Sequence, residues 1–242
     1  MATAEAKYFH AESGLPVVFA HSKTNKPMWS EVFTNNKKIL KHPANGQKCV
    51  VVRNHGGTRP YHLGYDGERF HWNYKFKAEP GELFLSKQEQ AKGIPGAVII
   101  EPHTKDAAMS KNKAWPWERW QELVNSLPLP WVQLGPHSAR SLDGVTRHVT
   151  KEFRDSLGYL AKCSLLVTTD GALHHAAAAL GKPAVVLWGG LVPPQILGYD
   201  IHKNICHADS WCGMNSACDH CKAAMEKITV EEVRSAILEM RK

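Results

Sequence analysis

Leu165-Leu166-Val167-Thr168-Thr169-Asp170-Gly171-Ala172-Leu173-His174-His175-Ala176-Ala177-Ala178-Ala179-Leu180-Gly181-Lys182-Pro183 reads as a strand, a tight turn and a helix in immediate succession. Residues 164–169 have the length and apolar character of a buried strand, and Asp170-Gly171 is a turn dipeptide. The alanine-rich segment that follows ends at Gly181 and Pro183, both helix stop signals. A strand that feeds a helix this abruptly leaves the first-turn N–H groups of the helix unpaired, and those amides with the helix dipole form an anion site. In open α/β sheets, ligands bind beyond the carboxyl ends of the strands, where this turn would lie. Asp170 and Gly171 are therefore candidate binding residues, although Asp170 also suits a simple helix cap. His174 and His175 cannot both face one direction on a helix, so one of them packs or faces solvent.

The surroundings extend the same pattern. Residues 97–100 form a short apolar strand after a Pro-Gly turn. Residues 117–127 place Trp117, Trp120, Leu123, Val124 and Leu127 on one helical face between Pro116 and Pro128. Residues 131–134 form another strand, closed by Gly135-Pro136, and residues 153–163 a helix. Residues 184–188 form a buried strand ended by Gly189-Gly190. Thr229 with Glu232 spells a capping box, and Val233, Ala236, Ile237 and Met240 follow at helical spacing. Strands alternating with helices predict an α/β fold with a parallel sheet covered on both faces.

The first ninety-odd residues are less regular. Residues 2–11 and 81–92 read as helical, and residues 17–20, 50–53 and 69–77 as strands, the last from alternating Phe70, Trp72, Tyr74 and Phe76. Gly93-Ile94-Pro95-Gly96 is the natural linker. It divides the chain into an N-terminal unit, 1–95, and a C-terminal unit, 96–242.

These landmarks together resemble glycosyltransferase family 9, the heptosyltransferase-like group. The family's donor half carries an Asp–small–small–x–x–His–x–Ala-Ala-Ala–Leu–Gly–x–Pro segment, which Asp170, His175, Ala177 to Ala179, Leu180, Gly181 and Pro183 match in order. Upstream, Lys113-Ala114-Trp115-Pro116 with Trp120 matches its Lys–x–Trp–Pro and Trp-bearing helix. Strands ending at Gly135 and Gly189 match two more landmarks. Downstream, Cys212, Cys218, Cys221, Met225, Ile228 and Val233 match a cysteine-bearing loop and the approach to the last helix. The similarity spans roughly residues 97–240.

The resemblance implies a GT-B architecture, two Rossmann-like domains with parallel sheets facing across a cleft, here with a shortened N-terminal domain on the acceptor side. It implies transfer of a heptose-like sugar from a nucleotide diphosphate sugar, ADP-heptose-like, to a bacterial surface glycan or lipopolysaccharide acceptor, with no cofactor required. Lys113 would then meet the donor phosphates, Asp170 and Gly171 the donor, and His174 and His175 the neighbourhood of the diphosphate. Thr104, Lys105, Gly135 and Gly189 complete the implied donor-binding set. Two departures stand out. Gly171-Ala172 replaces a hydroxyl-bearing pair, and no acidic residue follows Gly135-Pro136-His137 closely.

The family's opening strand and Gly-Asp–x–Leu turn, which carries its proposed base, has no counterpart, since no Gly-Asp occurs in the chain. The expectation is a chain that starts late; the alternative is a shortened branch with another base, for which Glu12, Asp66 and His10 are candidates. The catalytic base is otherwise unassigned.

Composition adds boundaries. The net charge is +7, which suits either a solvated surface or an anionic partner such as a nucleotide diphosphate or an anionic glycolipid surface. Nucleic acid is not expected as a partner, although a sugar transferase acting on modified nucleic acid remains an alternative, as does a catalytically silent sugar-nucleotide-binding protein. No apolar run approaches a membrane span and no secretory signal opens the chain, so a cytoplasmic protein is expected, with peripheral contact at the inner membrane. Of six cysteines, Cys206, Cys212, Cys218 and Cys221 fall close together, with His202, His207 and His220 nearby. They are either reduced thiols or a structural zinc site.

Overall fold

The computed structural model describes residues 1–54, 59–104 and 107–241. The C-terminal part is built on strands β5 (Val98–Glu101), β6 (Trp131–Gly135), β7 (Thr146–Val149), β8 (Leu165–Thr169), β9 (Ala184–Trp188) and β10 (His202–Cys206). They form one six-stranded sheet in the order β10-β9-β8-β5-β6-β7, parallel throughout. The chain builds outward from β5 to β6 and β7, then returns to place β8 on the other side of β5. The order of winding therefore reverses between β5 and β8, which opens a crevice beyond their carboxyl ends.

Period-two alternation divides the strands between two cores. Val98, Ile100, Leu165, Val167, Val185 and Leu187 point to one face, where α3 (Trp117–Ser126) and α8 (Val230–Met240) supply Trp120, Leu123, Val233 and Ile237. Ile99, Leu166, Ala184, Val186 and Trp188 point to the other, against α4 (Phe153–Leu160) and α5 (Ala172–Ala179). The alanines of α5 let its backbone approach the sheet closely, and Ala177 is completely buried. Removing one large apolar side chain from either core should cost about 2–5 kcal/mol.

The N-terminal layer is small. β1 (Val17–His21) pairs in parallel with β2 (Val50–Asn54), and α1 (Ala2–Ser13) packs against them around Ala6, Val17, Phe19, Phe33 and Ile39. The division at 95 is not a clean break in packing. The antiparallel pair β3 (His62–Tyr65) and β4 (Phe70–Trp72) joins the C-terminal part, where the Phe70 N–H donates to the Gly213 carbonyl and the Trp72 indole to that of Leu191. Arg154 of α4 ties the parts together. It pairs with Glu89 of α2 (Lys87–Ala91) at 2.5 and 2.9 Å and donates to the carbonyls of Glu31 and Phe84.

Several sequence expectations need correction. The strand expected over 69–77 shrinks to Phe70–Trp72, because the chain turns after Trp72 and leaves Tyr74 exposed while Phe76 packs on the C-terminal core. The helix expected over 81–92 begins at Lys87, where Ser86 and Glu89 form a reciprocal cap. The Thr229 hydroxyl does accept from the Glu232 N–H at 3.2 Å, but the Glu232 carboxylate turns to His207 rather than completing the box. Strands β7 and β10 and helices α6 (Pro194–Leu197) and α7 (Asp219–Lys227) were not read from the sequence.

Candidate functional site

Asp170 follows β8 directly, and Gly171 is the N-cap of α5, so the turn sits at the carboxyl edge of the sheet beside the crevice. The Gly171 N–H donates to Nδ1 of His174 at 3.0 Å, and Nε2 of the same ring lies 3.3 Å from the Leu197 carbonyl. With Nδ1 accepting, the His174 proton resides on Nε2 and the ring is neutral. Burial also pushes its pKa down. The 3.6 Å approach of Nδ1 to the Asp170 carboxylate is accordingly not an ion pair. His174 is completely buried, a packing residue that buttresses the turn from beneath.

His175 does not diverge from His174 as the helical spacing suggested: the two rings lie against each other with centroids 3.9 Å apart, and both approach Tyr199. His175 lies at the cavity wall, and its Nδ1 meets the Tyr199 hydroxyl at 2.8 Å. Burial pushes its pKa well down, so it too is neutral near pH 7.

Lys113 ends the 3-10 helix Ala108–Lys113, and its ammonium lies 2.5 Å from Oδ2 of Asp170. Burial would push the Asp170 carboxyl up, but the Lys113 ammonium, with the His174 ring beside it, holds the pKa below the ordinary value. An anionic carboxylate thus fixes the cation at the start of α5. Asp170, His174 and His175 are near enough to one another to hold a metal ion. Lys113 already supplies a positive charge to the carboxylate, and the Gly171 N–H uses His174 Nδ1, so this group is committed to an organic cation instead.

Two cavities meet at this turn. One, of about 680 Å³, occupies the crevice beyond β5, β6 and β8 and is lined by Glu101, Thr104, Gly135, Thr168, Asp170 and Lys113 among others. The second, of about 590 Å³, is walled by Tyr61, Phe70, Trp72 and Phe153, with Arg59 and His175. Lys113, Asp170, Gly171 and Ala172 line both. Each volume suits a ligand of drug or nucleotide size. Charged and hydroxyl side chains at the strand ends face the first, and aromatic rings wall the second.

Of the residues singled out from sequence, Thr104, Lys113, Gly135, Asp170, Gly171 and His175 line these cavities. Lys105 lies outside the described residues. Gly189 lies behind the Lys113 turn, where a Cβ would collide with the Asn112 carbonyl and crowd Met225. The glycine permits close packing there, and it lines neither cavity. Asp66 accepts from the N–H groups of Glu68 and Arg69 in the β3–β4 turn, and these bonds hold its pKa down to about 2, which makes it a poor base. Glu12 and His10 are on α1 and line neither cavity.

The sequence reading missed Glu101. Burial in the crevice pushes its carboxyl up to about 8, against the pull of the His103 N–H that it accepts. Its place at the carboxyl end of a strand was the available signal. The aromatic wall from β3 and β4 had no such signal, because it forms only when the hairpin packs across the chain.

Cys212, Cys218, His220 and Cys221 each offer a ligand atom within 4.8 Å of the others, an arrangement able to hold a metal ion. Cys206, which the sequence grouped with them, stands apart and directs its thiol at the Gly189 carbonyl, 3.9 Å away. No helix among the described residues is long and apolar enough to cross a membrane.

Comparison with known proteins bears on this geometry. Residues 152–227 match glycosyltransferase family 9 (heptosyltransferase). Lipopolysaccharide heptosyltransferase 1 of Salmonella typhimurium is 29% identical over 158 residues, covering 60% of this chain and 46% of that protein. Its namesake in Escherichia coli K12 is 28% identical over 160 residues, covering 55% and 43%. The chain spans about half the length of the curated relatives it matches. Among solved structures, E. coli ADP-heptose LPS heptosyltransferase II matches with a TM-score of 0.50 at 17% identity, covering 66% of this chain and 53% of that one. The iron-containing dodecameric glycosyltransferase TibC of enterotoxigenic E. coli matches at 0.57 and 14%, covering 84% and 63%. A complex of TibC with ADP-D-beta-D-heptose matches at 0.56 and 13%, covering 84% and 61%. At these identities the structural likeness speaks for the fold, which is α/β with GT-B heptosyltransferases as neighbours.

Proposed function

We propose, from the premise that the chain is a heptosyltransferase-like member of glycosyltransferase family 9, that it binds a nucleotide diphosphate sugar of the ADP-heptose kind and transfers the sugar to a bacterial surface glycan. The observation that carries this reading is the Lys113 ammonium fixed at the α5 N-terminus, where two cavities meet. The nucleoside occupies the crevice beyond β5, β6 and β8. The diphosphate lies against Gly171, Ala172 and Lys113, and the sugar points toward the aromatic cavity that receives the acceptor.

Breaking the sugar–phosphate bond leaves negative charge on the departing nucleotide. Lys113 and the first-turn amides of α5 are preorganised to stabilise that charge as it develops, without themselves being consumed. Lys113 and these amides would serve there in the place a metal cation takes in other transferases. The neutral Glu101 carboxyl adds no repulsion at pH 7. Aromatic side chains such as Trp72 and Tyr61 offer flat apolar faces for a sugar ring, and Arg59 an anchor for an anionic group on the acceptor. That combination supports a lipopolysaccharide-type acceptor, with the protein working in the cytoplasm against the inner membrane. The structural relative TibC forms a complex with ADP-D-beta-D-heptose, which supports a donor of that kind.

Thermal unfolding with a panel of ADP, UDP and GDP and their sugars tests the reading. ADP and ADP-heptose should raise the transition temperature by mass action. Release of ADP in the presence of a lipopolysaccharide core acceptor then reports transfer. No stabilisation by any nucleoside diphosphate would remove the proposal.

A further inference from the structure

Residues 207–218 run from the end of β10 to the start of α7 with no helix or extended strand. Connections of that length without secondary structure are uncommon in compact domains and need something to fix them. This one is threaded through the structural support of the donor site. The Cys212 and Gly213 N–H groups donate to the carbonyls of Gly190 and Leu191, just beyond β9. The Gly213 carbonyl accepts from Phe70 of β4, which lines the aromatic cavity. The side-chain amide of Asn112, 1% exposed, donates to the carbonyls of Met214 and Ser216 at 3.2 and 2.7 Å. Asn112 immediately precedes Lys113.

Three thiols and an imidazole converge in this loop. Cys212 comes from its middle, Cys218 is the N-cap of α7, and His220 and Cys221 follow on the first turn of that helix. The Cys212 and Cys221 sulfurs are 3.1 Å apart. In a tetrahedral site with metal–sulfur bonds of about 2.3 Å, ligand atoms stand roughly 3.5–3.8 Å from one another. The cluster, with all four atoms within 4.8 Å, reaches that geometry by side-chain adjustment alone. Nε2 of His220 lies 3.2 Å from the Ser210 hydroxyl, which leaves Nδ1 for a metal and supplies the outer hydrogen bond that metal-bound imidazoles usually have. Gly190 has room for no Cβ because the His220 ring lies against it.

We propose that Cys212, Cys218, Cys221 and His220 form a closed tetrahedral site for a thiolate-binding divalent metal, zinc or iron(II), which clamps this loop against the Lys113 turn and the β3–β4 hairpin. Cys206 is not a ligand. With four protein ligands the site has no open position, so the metal holds structure and takes no part in chemistry. The ligand set stands independently of the sugar-transfer reading. Its consequence for Lys113 rests on that reading.

The test is elemental analysis of the purified, reduced protein, with hydrogen exchange on the metal-loaded and chelator-stripped forms. About one equivalent of zinc or iron per chain is expected, and the element found identifies the metal. Stripping should speed exchange across Ala108–Lys113 and Phe70–Trp72 while β5 and β8 stay protected. Refilling the stripped protein with cobalt(II) should give the intense visible bands of tetrahedral thiolate coordination. Cys218→Ser should lose the metal and Cys206→Ser should keep it. Where Cys218→Ser fails to fold, the cobalt spectrum of the wild type still decides the ligand class. Absence of stoichiometric metal would overturn the proposal, as would a Cys212–Cys221 disulfide in the native protein or a cobalt spectrum without thiolate bands. Loss of metal without faster exchange at Ala108–Lys113 would overturn the clamp. ADP binding, measured separately, reports on the donor site alone.

Discussion

The Lys113 ammonium and the Asp170 carboxylate are 2.5 Å apart at the carboxyl edge of the sheet, although 57 positions separate them (170 − 113). Asp170 is 5% exposed, so its charge would be costly without that partner. The pair sets the positive charge beside the unpaired amides of α5 before any ligand arrives. Preorganisation of this kind means that binding does not have to order a long, mobile side chain.

Glu101 predicts a pH dependence of donor binding. Its carboxyl, raised to about 8, is protonated at pH 7 and ionises as the pH rises through 8. The ionised form places a second negative charge in the crevice and opposes the diphosphate. ADP affinity measured from pH 7 to 9 should fall, and Glu101→Gln should abolish that fall. A steady wild-type affinity would place the nucleotide away from Glu101.

His202 predicts acid sensitivity of the fold. It is 6% exposed, and burial pushes its pKa down to about 4. Above about pH 6.5 the ring is neutral in both states; below that the unfolded chain takes up a proton that the folded chain refuses. Stability is lost as pH falls from 6.5 toward 4, by about 2 kcal/mol at pH 5. Glu101, with its raised pKa, gives the opposite slope between about 4.5 and 8. The comparison is therefore between wild type and His202→Phe, in which that contribution cancels. Urea unfolding should show a smaller loss from pH 7 to pH 5 in the variant, and equal losses would count against the assignment.

Glu89 and Arg154 should matter for holding the N-terminal layer. The Arg154 guanidinium holds the Glu89 carboxyl down at about 2, and Arg154 is 8% exposed. A depressed carboxyl contributes stability that is present above its unfolded pKa, near 4.5, and lost as pH falls through 2. Glu89→Gln should cost about 2–3 kcal/mol at pH 7 in denaturant unfolding and nothing near pH 2. An unchanged midpoint at pH 7 would show the pair to be incidental.

Gly189→Ala tests the support beneath the proposed donor site. The added methyl meets the Asn112 carbonyl, which is backbone and must shift. A stability loss of about 1–3 kcal/mol is expected from overpacking, with weaker ADP binding because Lys113 moves along with its neighbour. Retained affinity together with lost stability would separate the two effects.

How far the sequence could be read follows from where its signals lie. Residues 165–183 carry an apolar run, a turn dipeptide and stop signals within one local window, and the strand, turn and helix appear there. β7 and β10 carry no such signal. Thr146-Arg147-His148-Val149 and His202-Lys203-Asn204-Ile205-Cys206 are polar edge strands, and pairing with β6 and β9 decides their form. The aromatic alternation of 69–77 suggested a long strand, but tertiary packing took only its first part. At the site, the turn residues were legible because they follow one another in sequence. Glu101 and Tyr199 become neighbours of the turn only through the crossovers of the sheet, and the aromatic wall only when the β3–β4 hairpin packs across the chain. Cys206 shows the same limit in reverse, since nearness in sequence grouped it with thiols from which the fold separates it.

The central claim is that Lys113 and the α5 turn hold the donor's diphosphate, and calorimetric titration with ADP tests it most directly. Wild type, Lys113→Ala and the exposed-surface control Lys37→Ala are compared at one ionic strength. Loss of a charge-assisted phosphate contact worth about 1.5–3 kcal/mol should weaken ADP binding by Lys113→Ala roughly 10- to 150-fold. Lys37→Ala should leave the affinity unchanged. Equal weakening by both substitutions, or none by Lys113→Ala, would contradict the account.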